Sequence, residues 1–264
     1  MVEKYGSWAL ITGASSGIGE EFANRLAENG FNLVIIARRE ERLKALADKL
    51  CEKYKKEIKI IAGDLTEESF IERIKLECNG LEIGLLVNNA GFGSTGEFYK
   101  CDETAEAKMV KLNCLVPTIL THHFLPGMIN RKRGGIIFLG SVVAFQPTPM
   151  MASYSATKVF NLFLGEALWY ELKNYNIDVL ALNPGGTNTE FQRIADVDTG
   201  PAVRSAAQVV ETALKSLGRK PGVVDGVINK IMTVSGKFIP RRWLVTMAGN
   251  IAVKLYSAKG KQAK

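Results

Sequence analysis

Of the seven tyrosines in this chain, only Tyr154 is followed four residues later by a lysine, Lys158. On a helix that spacing puts both side chains on one face, one turn apart. Ser141 stands thirteen residues upstream of Tyr154, at the end of the apolar run IIFLGS, which reads as a buried strand. A hydroxyl at a strand end, facing a helix-borne phenol and ammonium, suits acid–base work on a carbonyl. A free phenol titrates near about 10, so exchanging its proton at neutral pH needs a drop of roughly 3 units, about 4 kcal/mol. An ammonium about 5 Å away, at an effective dielectric of about 20, supplies roughly 3 kcal/mol. A cationic nicotinamide nearby would supply the rest. By itself a Tyr–Lys pair is a surface contact worth a few tenths of a kcal/mol. Its neighbours in the sequence give it meaning.

The first of these is a glycine-rich turn. The apolar strand Trp8–Thr12 runs directly into Gly13, Ala14, Ser15, Ser16, Gly17, Ile18 and Gly19, and an amphipathic helix follows to about Asn29, with Gly30 at its C-terminus. Strand, glycine turn and helix together form a phosphate-binding context. Glycines let the backbone approach a pyrophosphate, and the helix N-terminus offers amide donors and positive potential. The spacing is TGxxxGxG and lacks the lysine of a nucleoside-triphosphate loop. After the second strand, Asn32–Ala37, come Arg38 and Arg39, ahead of a helix opening at Glu40. Cations at a helix start are mildly disfavoured by the dipole unless a phosphate sits there. An acid after the second strand would hold the ribose hydroxyls of NAD(H), whereas arginine accommodates a 2′-phosphate. The arginines favour NADP(H) over NAD(H), with two solvated side chains as the plain alternative.

The remaining elements must bring these groups together. Strands are expected at Ile58–Ala62, ending near Asp64, at Gly84–Val87, followed by Asn88, Asn89, Ala90 and Gly91, and at Gly135–Leu139. Two more are expected at Ile177–Leu182, running into Asn183, Pro184 and Gly185, and at Val223–Asp225. Helices are expected over Glu67–Asn79, over Asp102–Leu115 containing Asn113, between Pro117 and Arg131, and over Ser153–Asn174 carrying Tyr154 and Lys158. Alternation at these lengths means an α/β chain with a parallel sheet covered on both faces. Ligands then bind at the carboxyl ends of the strands, where Gly13, Arg38, Asp64, Asn88, Ser141 and Pro184 all fall.

With those residues assembled, the chain resembles the short-chain dehydrogenase/reductase family in its compact single-domain form. The resemblance rests on TGASSGIG at 12–19, Asp64-Leu65, NNAG at 88–91, Asn113, Ser141, Tyr154-x-x-x-Lys158 and NPGGTNT at 183–189, and covers roughly the first 190 residues. It implies a Rossmann-type doubly wound sheet of about seven strands. It implies Tyr154 as general acid/base, Lys158 on the nicotinamide ribose and lowering the Tyr154 pKa, Ser141 on the substrate oxygen, and Asn113 in a water relay from Lys158. Asp64 and Leu65 would meet adenine; Asn88, Ala90 and Gly91 the adjacent ribose region; Pro184, Gly185 and Thr187 the nicotinamide. It also implies transfer of the pro-S hydride and assembly as a homo-oligomer. Non-catalytic nucleotide-sensing proteins on this scaffold are the rival reading, and those usually lose the Tyr or the Lys.

Bulk properties bound the rest. A chain of 264 residues can bury one large core. Cys51, Cys78, Cys101 and Cys114 are scattered without CxxC spacing, and adjacent His122 and His123 diverge on a helix, so no metal site is expected. Met1–Gly6 is polar and carries no visible signal peptide, which points to a reducing, cytoplasmic setting. Asp225 is the last acid, and eight of the 34 cations lie beyond it, leaving the preceding chain with 26 cations against 27 anions. That distribution argues against a nucleic-acid-binding face. It divides the chain into a nucleotide-binding domain over 1–225 and a basic amphipathic extension over 226–264. In the extension Leu244, Met247, Ala248, Ile251 and Leu255 recur at helical spacing after Pro240. This ending is similar to the branch containing ketoacyl-coenzyme A reductases and 17β-hydroxysteroid dehydrogenases. The extension either covers the substrate cleft or a dimer interface, or meets an anionic bilayer or an acidic carrier protein. Phe92, Val142–Phe145, Pro147–Met151 and the stretch Asn188–Ser205 are expected to wall a medium or large apolar carbonyl substrate, whether a 3-oxoacyl thioester, a steroid-like ketone or an aromatic ketone.

Overall fold

The computed structural model describes residues 1–190 and 203–262, with side chains described through Val253 apart from Lys237. Most of the stretch Asn188–Ser205, and the Leu255 side chain, lie outside the described residues.

Seven strands form one sheet: β1 (Trp8–Thr12), β2 (Asn32–Ala37), β3 (Ile58–Ala62), β4 (Ile83–Asn88), β5 (Gly134–Leu139), β6 (Ile177–Asn183) and β7 (Gly222–Val224). Their spatial order is β3-β2-β1-β4-β5-β6-β7, and every pairing is parallel. Parallel neighbours need crossovers, which are supplied by α1 (Gly17–Glu28), α2 (Glu40–Tyr54), α3 (Glu68–Glu77), α4 (Glu103–Val110), α5 (Val116–Arg131), α6 (Ala152–Glu171) and α7 (Ala206–Ser216). Two helices close the chain, α8 (Val227–Ser235) and α9 (Arg241–Gln262).

The strands are largely apolar because both faces are covered. Successive side chains alternate between two cores. Ala9, Ile11, Leu33 and Ile35 meet Phe22 and Leu26 of α1, Leu43 and Leu50 of α2, and Val209 and Val210 of α7. Trp8, Leu10, Val34 and Ile36 meet Phe70 and Ile74 of α3 and Leu120 and Phe124 of α5. Each of these side chains is buried, the Leu, Ile, Val and Phe side chains contributing on the order of 1.5–3 kcal/mol each of transfer free energy.

The region expected to be two separate helices over 102–131 runs on without a loop. Asp102 caps α4 by accepting from Ala105 N at 2.7 Å. A single π-type turn, Lys111–Leu115, then joins α4 to α5. Pro117 sits in the first turn of α5, and the Asn113 carbonyl four residues before it accepts instead from Asn161 Nδ2 at 2.8 Å.

Candidate active site

The carboxyl ends of the strands open onto a cavity of about 610 Å³. Its floor is the turn after β1. Gly13 and Gly17 adopt φ of +70° and +61°, which side-chain-bearing residues rarely reach. A Cβ on Gly19 would lie 2.2 Å from the Gly13 carbonyl oxygen, so only glycine lets α1 begin this close to the strand. Thr12 locks the turn to β4: its Oγ1 accepts from the backbone N–H groups of Asn89 and Ala90 at 3.0 and 2.9 Å. Asn89 returns the contact, donating from Nδ2 to Thr12 O at 2.8 Å.

The wall beyond β2 is cationic. Arg38 and Arg39 both line the cavity. Arg39 carries the contacts: its Nη2 donates to Ser15 Oγ at 3.0 Å and to Ser16 Oγ at 2.9 Å. After β3, Asp64 turns its Oδ1 to Thr66, accepting from the backbone N and from Oγ1 at 2.9 Å each. Burial would raise this carboxyl, but those two hydrogen bonds and nearby Arg38 hold it below its ordinary value. Leu65, Ala90 and Gly91 continue the wall, and Pro184, Gly185 and Thr187 form the opposite one.

Asn88 stands apart. It is the last residue of β4, and alternation sends its side chain to the helical face, where Nδ2 donates to Thr121 of α5 at 3.1 Å. The cavity wall is taken instead by Asn89, one residue beyond, which strand-end counting had passed over.

Ser141, Tyr154 and Lys158 meet at the far end of the cavity. Ser141 caps the short helical turn Val142–Phe145, accepting from Val143 N at 3.4 Å. Tyr154 and Lys158 are buried in the first two turns of α6. Lys158 Nζ donates to Leu139 O at 2.8 Å and lies 5.6 Å from the centre of the Tyr154 ring. Gly93 makes room for that ring, since a Cβ there would meet Tyr154 Cδ2 at 2.9 Å.

Asn113 sits in the π turn, buried. Its Nδ2 donates to Phe92 O at 2.9 Å and to Thr157 Oγ1 at 3.0 Å, and its Oδ1 accepts from Phe92 N at 3.2 Å. Asn161, three residues past Lys158, donates to the Asn113 carbonyl at 2.8 Å. Asn113 therefore fastens α6 to the segment that follows β4. Asn113 itself does not line the cavity, though π turns recur near functional sites.

The electrostatics differ from the sequence expectation in one respect. Burial pushes the Tyr154 phenol above its ordinary value, with the hydrogen bond from Ser141 pulling the other way. Burial likewise draws Lys158 down, to about 8. Removal from water disfavours the charged form of each group, which raises the phenol and lowers the ammonium. Among this chain's own groups, then, burial and Ser141 set the phenol's acidity.

The substrate end is apolar. Phe92, Val142, Val143 and Met151 line the cavity. Phe145, expected there, packs against Ala144 and Leu162 instead. The closing helices lie beside this end: Asn229 of α8 presses on Gly185, and Gly249 of α9 faces Pro149. Glu190, within the stretch Asn188–Ser205 expected to wall the substrate, lines the cavity but binds Arg39 on the cationic wall.

A glycine floor that admits only backbone, a helix N-terminus, a cationic wall and an adjacent Ser–Tyr–Lys group fit a dinucleotide and a carbonyl compound. Among the described residues no His, Cys, Asp or Glu cluster could hold a metal ion. Residues 7–199 match the family model described as short chain dehydrogenase. The very-long-chain 3-oxoacyl-CoA reductase of Rattus norvegicus is 32% identical over 246 residues, covering 91% of this chain and 78% of that protein. A solved 7beta-hydroxysteroid dehydrogenase superposes with a TM-score of 0.88 at 27% identity, covering 94% of this chain and 98% of that one. A short-chain dehydrogenase from Sphingobium yanoikuyae, solved in complex with NADPH, gives 0.79 at 33% identity, covering 88% and 93%. The chain is an oxidoreductase belonging to the short-chain dehydrogenase/reductase family.

Proposed function

We propose that this protein interconverts a carbonyl and an alcohol on a medium or large apolar substrate with NADP(H), Tyr154 acting as general acid/base. The observation that carries the reading is that Ser141, Tyr154 and Lys158 line the same cavity as the glycine turn and Arg39. The glycine turn, Arg39 and the Pro184–Thr187 segment would hold the dinucleotide, whose nicotinamide supplies or accepts the hydride when bound. Tyr154, kept protonated by burial, is ready to donate its proton to a carbonyl oxygen, which is the reducing direction. Ser141 orients that oxygen, and Lys158 holds the ribose side while keeping its charge below about pH 8. Asn113, anchored to Phe92 and Thr157, keeps α6 at the correct depth.

Phe92, Val142, Val143 and Met151 support an apolar substrate, and methionine adapts to irregular shapes. Both the 3-oxoacyl-CoA reductase and the hydroxysteroid dehydrogenase among the relatives act on compounds of that kind. Phe160, Phe163 and Tyr170 are exposed along one face of α6, which supports self-association there. The test is NADPH oxidation against acyl thioesters, steroids and simple ketones, run beside NADH and a Tyr154→Phe variant. Tyr154→Phe is expected to lose turnover by at least about 10²-fold while still binding cofactor. Equal rates without the hydroxyl would remove Tyr154 from the mechanism.

A further inference from the structure

The first turn of α2 carries two guanidinium groups held by one carboxylate from the far side of the cavity. Arg39 Nη1 donates to Glu190 Oε2 and Arg42 Nη1 to Glu190 Oε1, each at 2.7 Å. Arg39 spends its other nitrogens on the hydroxyls of Ser15 and Ser16. The carboxylate comes from 148 and 151 residues away in sequence, directly after Thr189, which packs over Gly17. The two arginines hold Glu190 well below the usual carboxylate range, at about 2, so it is an anion at any physiological pH.

Two guanidinium forks and two serine hydroxyls are thus gathered at one place, with a single carboxylate as the only anion the two forks share. They also stand at a helix N-terminus, where the dipole disfavours cations and favours an anion. A phosphate monoester presents three acceptor oxygens and more charge than a carboxylate to the same forks.

We propose that Glu190 is a resident counter-ion for the Arg39–Arg42 pair, and that the 2′-phosphate of NADP(H) takes these guanidiniums by displacing it. Arg42 is then a second phosphate-reading residue, and Glu190 sets how tightly the phosphate is held. This rests on the cofactor reading above.

The probes are 2′,5′-ADP, which carries the 2′-phosphate, and 5′-AMP, which does not, titrated calorimetrically into the full chain. Glu190→Gln keeps the shape and removes the competing charge. It is expected to bind 2′,5′-ADP about tenfold more tightly, equivalent to about 1.4 kcal/mol, with 5′-AMP changed less than about twofold. Arg42→Ala is expected to weaken 2′,5′-ADP about tenfold and leave 5′-AMP unchanged. Unaltered or weaker 2′,5′-ADP binding by Glu190→Gln, in a wild-type background that prefers 2′,5′-ADP, overturns the counter-ion role alone. Full 2′,5′-ADP affinity in Arg42→Ala overturns the place given to Arg42. Equal affinity for the two probes in wild type and in Glu190→Gln overturns the NADP(H) reading itself.

Discussion

Lys158 shows what a reactive residue costs its own protein. Its ammonium is buried against Leu139 O, and burial draws it down to about 8 from an ordinary value of 10.5. Because the folded value lies below the unfolded one, the folded state binds fewer protons between those two limits, and stability rises with pH across that window. The favourable contribution is complete above about 10.5 and is lost as pH falls through about 8. Lys158→Met, which buries no charge, is therefore expected to melt at a higher temperature than wild type at pH 7. The advantage should shrink between pH 8 and pH 10, while turnover is lost throughout. Thermal melts at pH 7 and pH 9.5 without added cofactor decide it, and a constant difference across that range would contradict the origin given for the shift. The exchange of stability for a functional charge is common at active sites.

At the level of elements, the β1–α1 turn is built with no room for a side chain. Gly19 approaches the Gly13 carbonyl and Asn89 Nδ2, at 2.2 and 2.5 Å from where a Cβ would stand. Neither the backbone carbonyl nor the doubly bonded amide can move without opening the β1–β4 junction at Thr12. Gly19→Ala is expected to lose about 1–3 kcal/mol of stability by denaturant titration and to weaken dinucleotide binding. A variant with unchanged stability and binding would mean that the turn has room to relax around the methyl group. The π turn over Lys111–Leu115 plays the complementary part, since it lets Asn113 reach both Phe92 and Thr157 from one helix.

At the scale of the whole molecule, the closing helices dominate the exposed apolar surface. Ile228, Ile231, Met232, Trp243, Met247 and Ile251 are all more than half exposed, beside the exposed cations Lys230, Arg241 and Arg242. Leu244 is buried, so the pair of helices is docked while most of its apolar surface remains open. No helix among the described residues is long and apolar enough to cross a membrane. An apolar face flanked by cations suits the interface of an anionic bilayer. Wild-type protein is expected to float with anionic vesicles and not with neutral ones, and a chain ending at Asp225 to stay behind. Equal behaviour of the two proteins would return this surface to self-association.

Periodicity and turn chemistry were enough to read the seven strands, the crossover helices as far as β6 and the ends at which ligands collect, because each depends on neighbours close in the chain; the helix Ala206–Ser216 was not read. The glycine turn, Tyr154, Lys158 and Ser141 were legible for the same reason. Parity at a strand end was harder: whether Asn88 or Asn89 faces the cavity depends on where β4 stops, and one residue exchanges the two faces. The choice of Arg39 over Arg38 for the serine hydroxyls, the pairing of Glu190 with a helix some 150 residues earlier and the burial that raises the Tyr154 phenol left no local pattern. Those were decided only when the sheet assembled, because solvent exclusion and long-range pairing belong to the packed molecule and to no segment of it.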